Sequence, residues 1–319
     1  MANPTSSQST PAWAQQLSLE KPVVEAFRQL DQMVISLRFA EALRRNWEAC
    51  RAEAAITSAA AGARLDGVEI SDRDLRLLVV QNERSESTGW AYWRAHVWVT
   101  QQWEPLNVRG RGERSCPRPR LAAKARAAKI HALLTANLAD GPRAEGRGGR
   151  SGGGAPGGGV GIPSDPAAWQ QFENLLNLSA PAPIRTGLAL LSALRQPFFS
   201  QRGAEVARIM VRDELTSSGF EPTGTWQWEP TWEALWSPTQ GAGTESEVPQ
   251  AAALGAGAPD SESLRPGAPP SQSPAGPLSA SPLGAHELNE WLHHWLQLLL
   301  QSHQPTRELL RRVQAGQLT

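Results

Sequence analysis

Between Leu188 and Gly219 the chain gathers an amide, a hydroxyl and two guanidiniums around one glycine: Gln196, Ser200, Arg202, Gly203 and Arg208. An apolar run (Leu188, Leu190, Leu191, Leu194) enters Gln196-Pro197-Phe198-Phe199, and the polar turn Ser200-Gln201-Arg202-Gly203 follows. Val206, Ile209, Met210, Val211 and Leu215 then carry a second apolar helix that stops at Gly219. A helix beginning near Gly203 presents unpaired N–H groups and a positive dipole end, so Arg202 and Arg208 beside it could hold a phosphate. The competing and favoured reading pairs these arginines with Glu205, Asp213 or Glu214 as solvated ion pairs at helical spacing, which contribute little. Acid–base and metal chemistry are missing from the turn. Gln196 is a neutral amide with no basic lone pair near neutral pH, and Ser200 offers no carboxylate to a hard cation. No catalytic residue and no metal ligand is assigned.

A second set of residues lies upstream. Glu53 to Leu75 reads "EAAITSAAAGARLDGVEISDRDL", with Asp66-Gly67 just before Ser71 and Asp74-Leu75. Downstream, "LNEWLHHWLQLLL" sets paired aromatics on an apolar helix. Taken in order, these stretches resemble the Fic (Fido) family, whose signature is H-P-F-x-D/E-G-N-G-R between two buried helices. The resemblance spans residues 20–135 and 165–316 in outline, and its specific part is the Pro-Phe of Gln196-Pro197-Phe198 with Gly203. It implies an all-α, Fic-like helical bundle. For active members it implies AMP transfer from ATP with Mg²⁺ to a protein hydroxyl. Gln196 then stands at the base position, Ser200 at the metal position, Gln201 and Arg202 in the anion nest, and Ala204 at the motif arginine. Arg208 falls one residue beyond the usual later arginine. Asp66 and Gly67 stand where the family's regulatory helix carries its acid, and Gly62 where it carries a serine or threonine. With Ala204 at the arginine position, that acid is expected to have lost its target. The resemblance implies a catalytically degenerate relative acting as an interaction or regulatory scaffold with a protein partner, in a bacterial, toxin–antitoxin-like or modification setting. Such a protein needs no cofactor; ATP and Mg²⁺ belong to the alternative, a divergent nucleotidyl or phosphocholine-type transferase in which His293 or Glu205 takes over a lost role.

Composition narrows the remaining classes. The 319 residues carry 31 basic and 31 acidic side chains, so no global field favours nucleic acid or a membrane surface. Cys50 and Cys116 give no disulfide framework and no zinc-type spacing. The N-terminal residues lack a basic region followed by an apolar core, and the longest apolar run, Leu296 to Leu300, is far short of the ~20 residues that span a bilayer. A soluble, cytoplasmic protein is expected. A third functional reading makes the C-terminal helix pair a DNA-contacting module through Arg307, Arg311 and Arg312. The adjacent His293 and His294 are expected on different faces, and so form no metal pair.

The elements that must position these residues read as helices throughout, since no stretch alternates like a strand. Residues 1–16 read as a disordered leader and 17–140 as an N-terminal helical part. In that part an amphipathic helix runs from Pro22, and a second covers Phe39 to Ala61 before a break bracketed by Gly62 and Gly67. A third is capped by Ser71 with Asp74 as capping-box partner, a fourth covers Gly89 to Trp103, and a fifth Leu121 to Leu138. The basic stretch Arg109 to Arg120 reads as a loop and 141–162 as a glycine linker. Residues 163–236 hold the core helices, 237–285 a disordered Pro/Ala/Gly/Ser tract, and 286–319 a helical pair packing on the core. Trp232 and Trp236, like Trp291 and Trp295, sit four apart and read as buried helix faces.

Overall fold

The computed structural model describes residues 20–81, 87–103, 120–136, 160–236 and 285–317, all belonging to one packed unit. Among the described residues the fold is all-α, with eleven helices and no strand. They are α1 (Lys21–Arg38), α2 (Glu41–Leu65), α3 (Asp72–Gln81), α4 (Thr88–Thr100), α5 (Ala123–Thr135) and α6 (Pro166–Leu176), followed by α7 (Ala182–Arg195), α8 (Gly203–Ser217), α9 (Trp228–Trp236), α10 (Ala285–Gln301) and α11 (His303–Gln314). The expected leader, the body of the basic loop, the glycine linker up to residue 159 and the Pro/Ala/Gly/Ser tract up to residue 284 lie outside the described residues.

Helix α2 is central because its second half is made of small side chains. Ala54, Ala55, Ala59, Ala60, Ala61, Gly62 and Ala63 are all buried, so α4, α9 and α11 pack closely against it. The expected break at Gly62 does not occur: the helix continues to Leu65. A Cβ at Gly62 would run into the carboxylate of Glu205, so the glycine there serves close approach and not chain reversal. The reversal comes at Gly67, in the left-handed region at φ +79°. The Gly67 N–H bonds to the carbonyl of Arg64 and the Val68 N–H to that of Ala63, which together close the helix in a Schellman motif. Ser71 then caps α3, accepting from the Asp74 N–H at 3.0 Å while its hydroxyl donates to Asp74 Oδ2 at 2.6 Å.

Helix α8 runs alongside with four buried charged residues, Glu205, Arg208, Arg212 and Asp213. Each is answered. Arg212 donates to Ser58, Glu229 and the Trp226 and Gly224 carbonyls at 2.8–3.1 Å. Asp213 accepts from Arg126 of α5, from the Trp103 indole just past α4 at 3.0 Å, and from Arg120 at 2.8 Å. Trp103 and Arg120 are the last and first described residues on either side of 104–119, and both converge on this one carboxylate.

The expected tryptophan faces are packed where described. Trp226, Trp228, Trp232 and Trp295 are buried, and the Trp228 and Trp295 rings meet edge-on at 5.3 Å. Helix α10 is fastened to α7 by indole N–H bonds from Trp291 to the Gly187 carbonyl at 2.7 Å and from Trp295 to that of Pro183 at 2.8 Å. Among the described residues no helix is long and apolar enough to cross a membrane.

Candidate functional site

The turn between α7 and α8 is held from three sides. Phe198 is fully buried against Trp169 and Phe172 of α6, with ring centroids 5.2 and 4.8 Å away. Phe199 stacks on the His131 ring of α5 at 4.1 Å. The Phe198 carbonyl accepts from the Asp165 N–H and the Ser164 hydroxyl, both at 3.3 Å. Asp165 also caps α6, and it accepts the Gln196 amide at 2.7 Å. The Ala168 N–H, and after it Gln196, hold the Asp165 carboxyl below its ordinary value. The side chain at the expected base position is thus an exposed amide bonded to a cap, and Ser200 is exposed.

Arg202 ends the turn. It is the one non-glycine residue in the left-handed region among those described (φ 56°, ψ 16°), and Gly203 follows as the first residue of α8. A left-handed arginine costs about 1–2 kcal/mol. The contacts of its side chain offset that cost. The Arg202 guanidinium donates to Asp66 Oδ2 at 3.2 Å and to the Tyr92 hydroxyl, and lies 5.2 Å from the Tyr92 ring centroid. Tyr92 in turn donates to Asp66 Oδ2 at 2.6 Å. Arg208, one and a half turns along α8, gives Asp66 Oδ1 its other bond at 2.7 Å and Glu205 Oε2 a bond of the same length. His96 Nε2 closes the cluster, 3.2 Å from Glu205 Oε1.

The expectation that Asp66 had lost its target is corrected by these contacts. With Ala204 unable to serve, Arg202 and Arg208 reach Asp66 from two other positions. The expected solvated pairing is corrected as well. Arg208 and Glu205 do pair, but Glu205 is 0 % and Arg208 4 % exposed. Asp213 and Glu214 are taken instead by Arg120, Arg126 and Arg185. Burial pushes the Glu205 carboxyl up, but Arg208 and then His96 outweigh it and hold the group below its ordinary value. Burial works against the charged Arg208 too; Glu205 and Asp66 more than compensate and raise it. The Tyr92 hydroxyl is pushed far up, first by burial and then by Asp66 and Glu205, so it stays a neutral donor. Two guanidiniums and two carboxylates therefore sit together at the start of α8 and pair with one another.

Sequence reasoning missed Tyr92, His96 and His131. A signal for the first two was present: the single tyrosine of the chain stands four residues before a histidine on an otherwise Trp-, Ala- and Val-rich helix. Gly67 contributes backbone geometry and leaves the Asp66 side chain free to reach α8. No protein-family model, no curated protein and no solved structure matches the chain.

The other candidates are not brought to this cluster. His293 and His294 are both exposed on α10 with ring centroids 6.2 Å apart, so they share one solvent side and do not diverge to separate faces. Arg307 and Arg311 are exposed on α11, the latter 3.4 Å from Glu308. Among the described residues no group of three or more His, Cys, Asp or Glu side chains is placed to hold a metal ion.

Proposed function

We propose that this chain is a catalytically silent, Fic-like scaffold whose relic loop is held shut from within, leaving protein-partner binding as the role of the retained fold. The observation that carries this reading is Asp66 bonding Arg202 and Arg208 at once. The two cations at the α8 N-terminus that could grip a phosphate are thereby neutralised by the chain's own carboxylates. The chemistry of the turn supports the same reading. The amide of Gln196 cannot take a proton from a hydroxyl near neutral pH, and Ser200 brings no carboxylate. Glu205 is sealed behind Gly62 and bound to Arg208 and His96, so it does not replace the missing base.

Incubating the purified protein with labelled ATP, Mg²⁺ or Mn²⁺ and a lysate is expected to leave every protein unlabelled. Melting curves with and without ATP are expected to coincide, because a ligand that binds only the folded state must raise its stability. Label transfer that disappears in Arg202→Ala, or a saturable ATP-dependent rise in Tm, would overturn the reading in favour of a divergent nucleotidyltransferase.

A further inference from the structure

The His131 ring joins three separate parts of the fold. It belongs to α5, it stacks on Phe199 of the turn with the two planes 11° apart, and its Nδ1 accepts the Gly161 N–H at 3.0 Å. An imidazole that accepts an N–H at Nδ1 carries no proton there, so the neutral ring holds its proton on Nε2. The ring is 7 % exposed.

We propose that His131 is a pH-sensitive clasp: protonation places an N–H at Nδ1 directly against the Gly161 N–H and releases residues 160–165 from α5. The reason is geometric. Two donors facing each other at a nitrogen–nitrogen separation of 3.0 Å cannot bond, and water cannot enter a stacked, buried contact without parting it. The release reaches the turn, because Ser164 and Asp165 hold the Phe198 carbonyl and the Gln196 amide. Among the described residues no neighbouring charge is placed to reverse the effect. On α5, Lys124 and Lys129 are exposed and Arg126 is bound to Asp213. On α4, which packs against α5, Arg94 is exposed and His96 faces Glu205. On α8, Glu205, Arg208, Arg212 and Asp213 are engaged as described, and Glu214 pairs with Arg120 and Arg185. In the turn, Arg202 is bound to Asp66; beyond it, Asp165 is bound to Gln196 and to its own cap. Burial first, opposed by the Gln201 carbonyl, holds the imidazole below its ordinary value, so the clasp opens on the acid side of the usual histidine range. The proposal goes beyond the scaffold reading and does not depend on it.

Amide hydrogen exchange, expressed as protection factors to remove the intrinsic effect of pH, tests the clasp in the intact chain. Between about pH 7.5 and about pH 5, peptides covering 160–169 and 196–203 are expected to lose about tenfold in protection, the change that one lost hydrogen bond brings. His131→Asn keeps an acceptor near the Nδ1 position and cannot titrate, so its protection is expected to stay level. Protection in the wild type that does not change over this range overturns the proposal, as does an equal pH response in His131→Asn. Should that variant fail to fold, nitrogen NMR of the wild-type ring decides: an unprotonated Nδ1 at neutral pH that gains its proton as these peptides open is expected, and a protonated Nδ1 at neutral pH overturns the clasp.

Discussion

At the level of single residues, the cluster around Asp66 shows how a fold retains charges it cannot solvate. Glu205 and Gly62 form a complementary pair: a carboxylate where the neighbouring helix has no side chain. Placing alanine at 62 gains about 1 kcal/mol of helix propensity but drives a methyl into a carboxylate that Arg208 and His96 hold in place. The steric term should win. Gly62→Ala is expected to lose about 1–3 kcal/mol in urea unfolding. Glu205→Ala is expected to lose about 3–5 kcal/mol, because it strands buried cations. The double variant should fall short of the sum, since the clash vanishes with the carboxylate; strict additivity would mean that the two side chains do not meet. Glu221 behaves in the opposite way to Glu205. Its carboxyl is pushed up, chiefly by burial, against the pull of Thr223 and Arg212. A raised folded value means that its contribution is fully present below the ordinary carboxyl range and lost as pH rises through the folded value. Glu221→Gln is therefore expected to raise Tm at neutral pH and to give no gain in acid; a loss of Tm at neutral pH would contradict this sign.

At the level of elements, the C-terminal end of α2 sets where the Asp66 carboxylate points. Gly67 stands at φ +79°, and nothing lies within 4 Å of where a Cβ would stand, so an alanine there meets backbone strain and no clash. Gly67→Ala is expected to cost about 1–2 kcal/mol, whereas a loss above that range would mean that Asp66 had been displaced as well. Much of this level was legible from sequence. The spacing of Val23, Leu30, Val34 and Leu37 marks out α1, and Ser71 with Asp74 marks the start of α3. The end of α2 was not legible, because a glycine facing a distant side chain, as Gly62 does, and a glycine ending a helix look alike until the partner is known. The partner choice of Asp66 was hidden for a related reason. Arg202 reaches it only because the turn puts that residue in a left-handed conformation, which no spacing rule signals.

At the level of the whole molecule, pH draws the local ties together. His131 and His303 both lie below their ordinary values, each chiefly through burial, with Arg307 adding to the effect at His303. For a group lowered by folding, the stabilising contribution is present above the unfolded value of about 6.5 and is lost as pH falls through the folded value. The midpoint of urea unfolding is expected to drop as pH is lowered from about 7 toward about 5, and to drop less in His131→Asn. A midpoint that rises over that interval would contradict both assignments.

The convergence of Trp103 and Arg120 on Asp213 has a consequence for how this chain tolerates change. Because Trp103, Arg120 and Arg126 are tied to the same carboxylate, one side chain of α8 holds the end of α4 and the approach to α5 together. A substitution at Asp213 therefore loosens the end of α4 and the approach to α5 in one step.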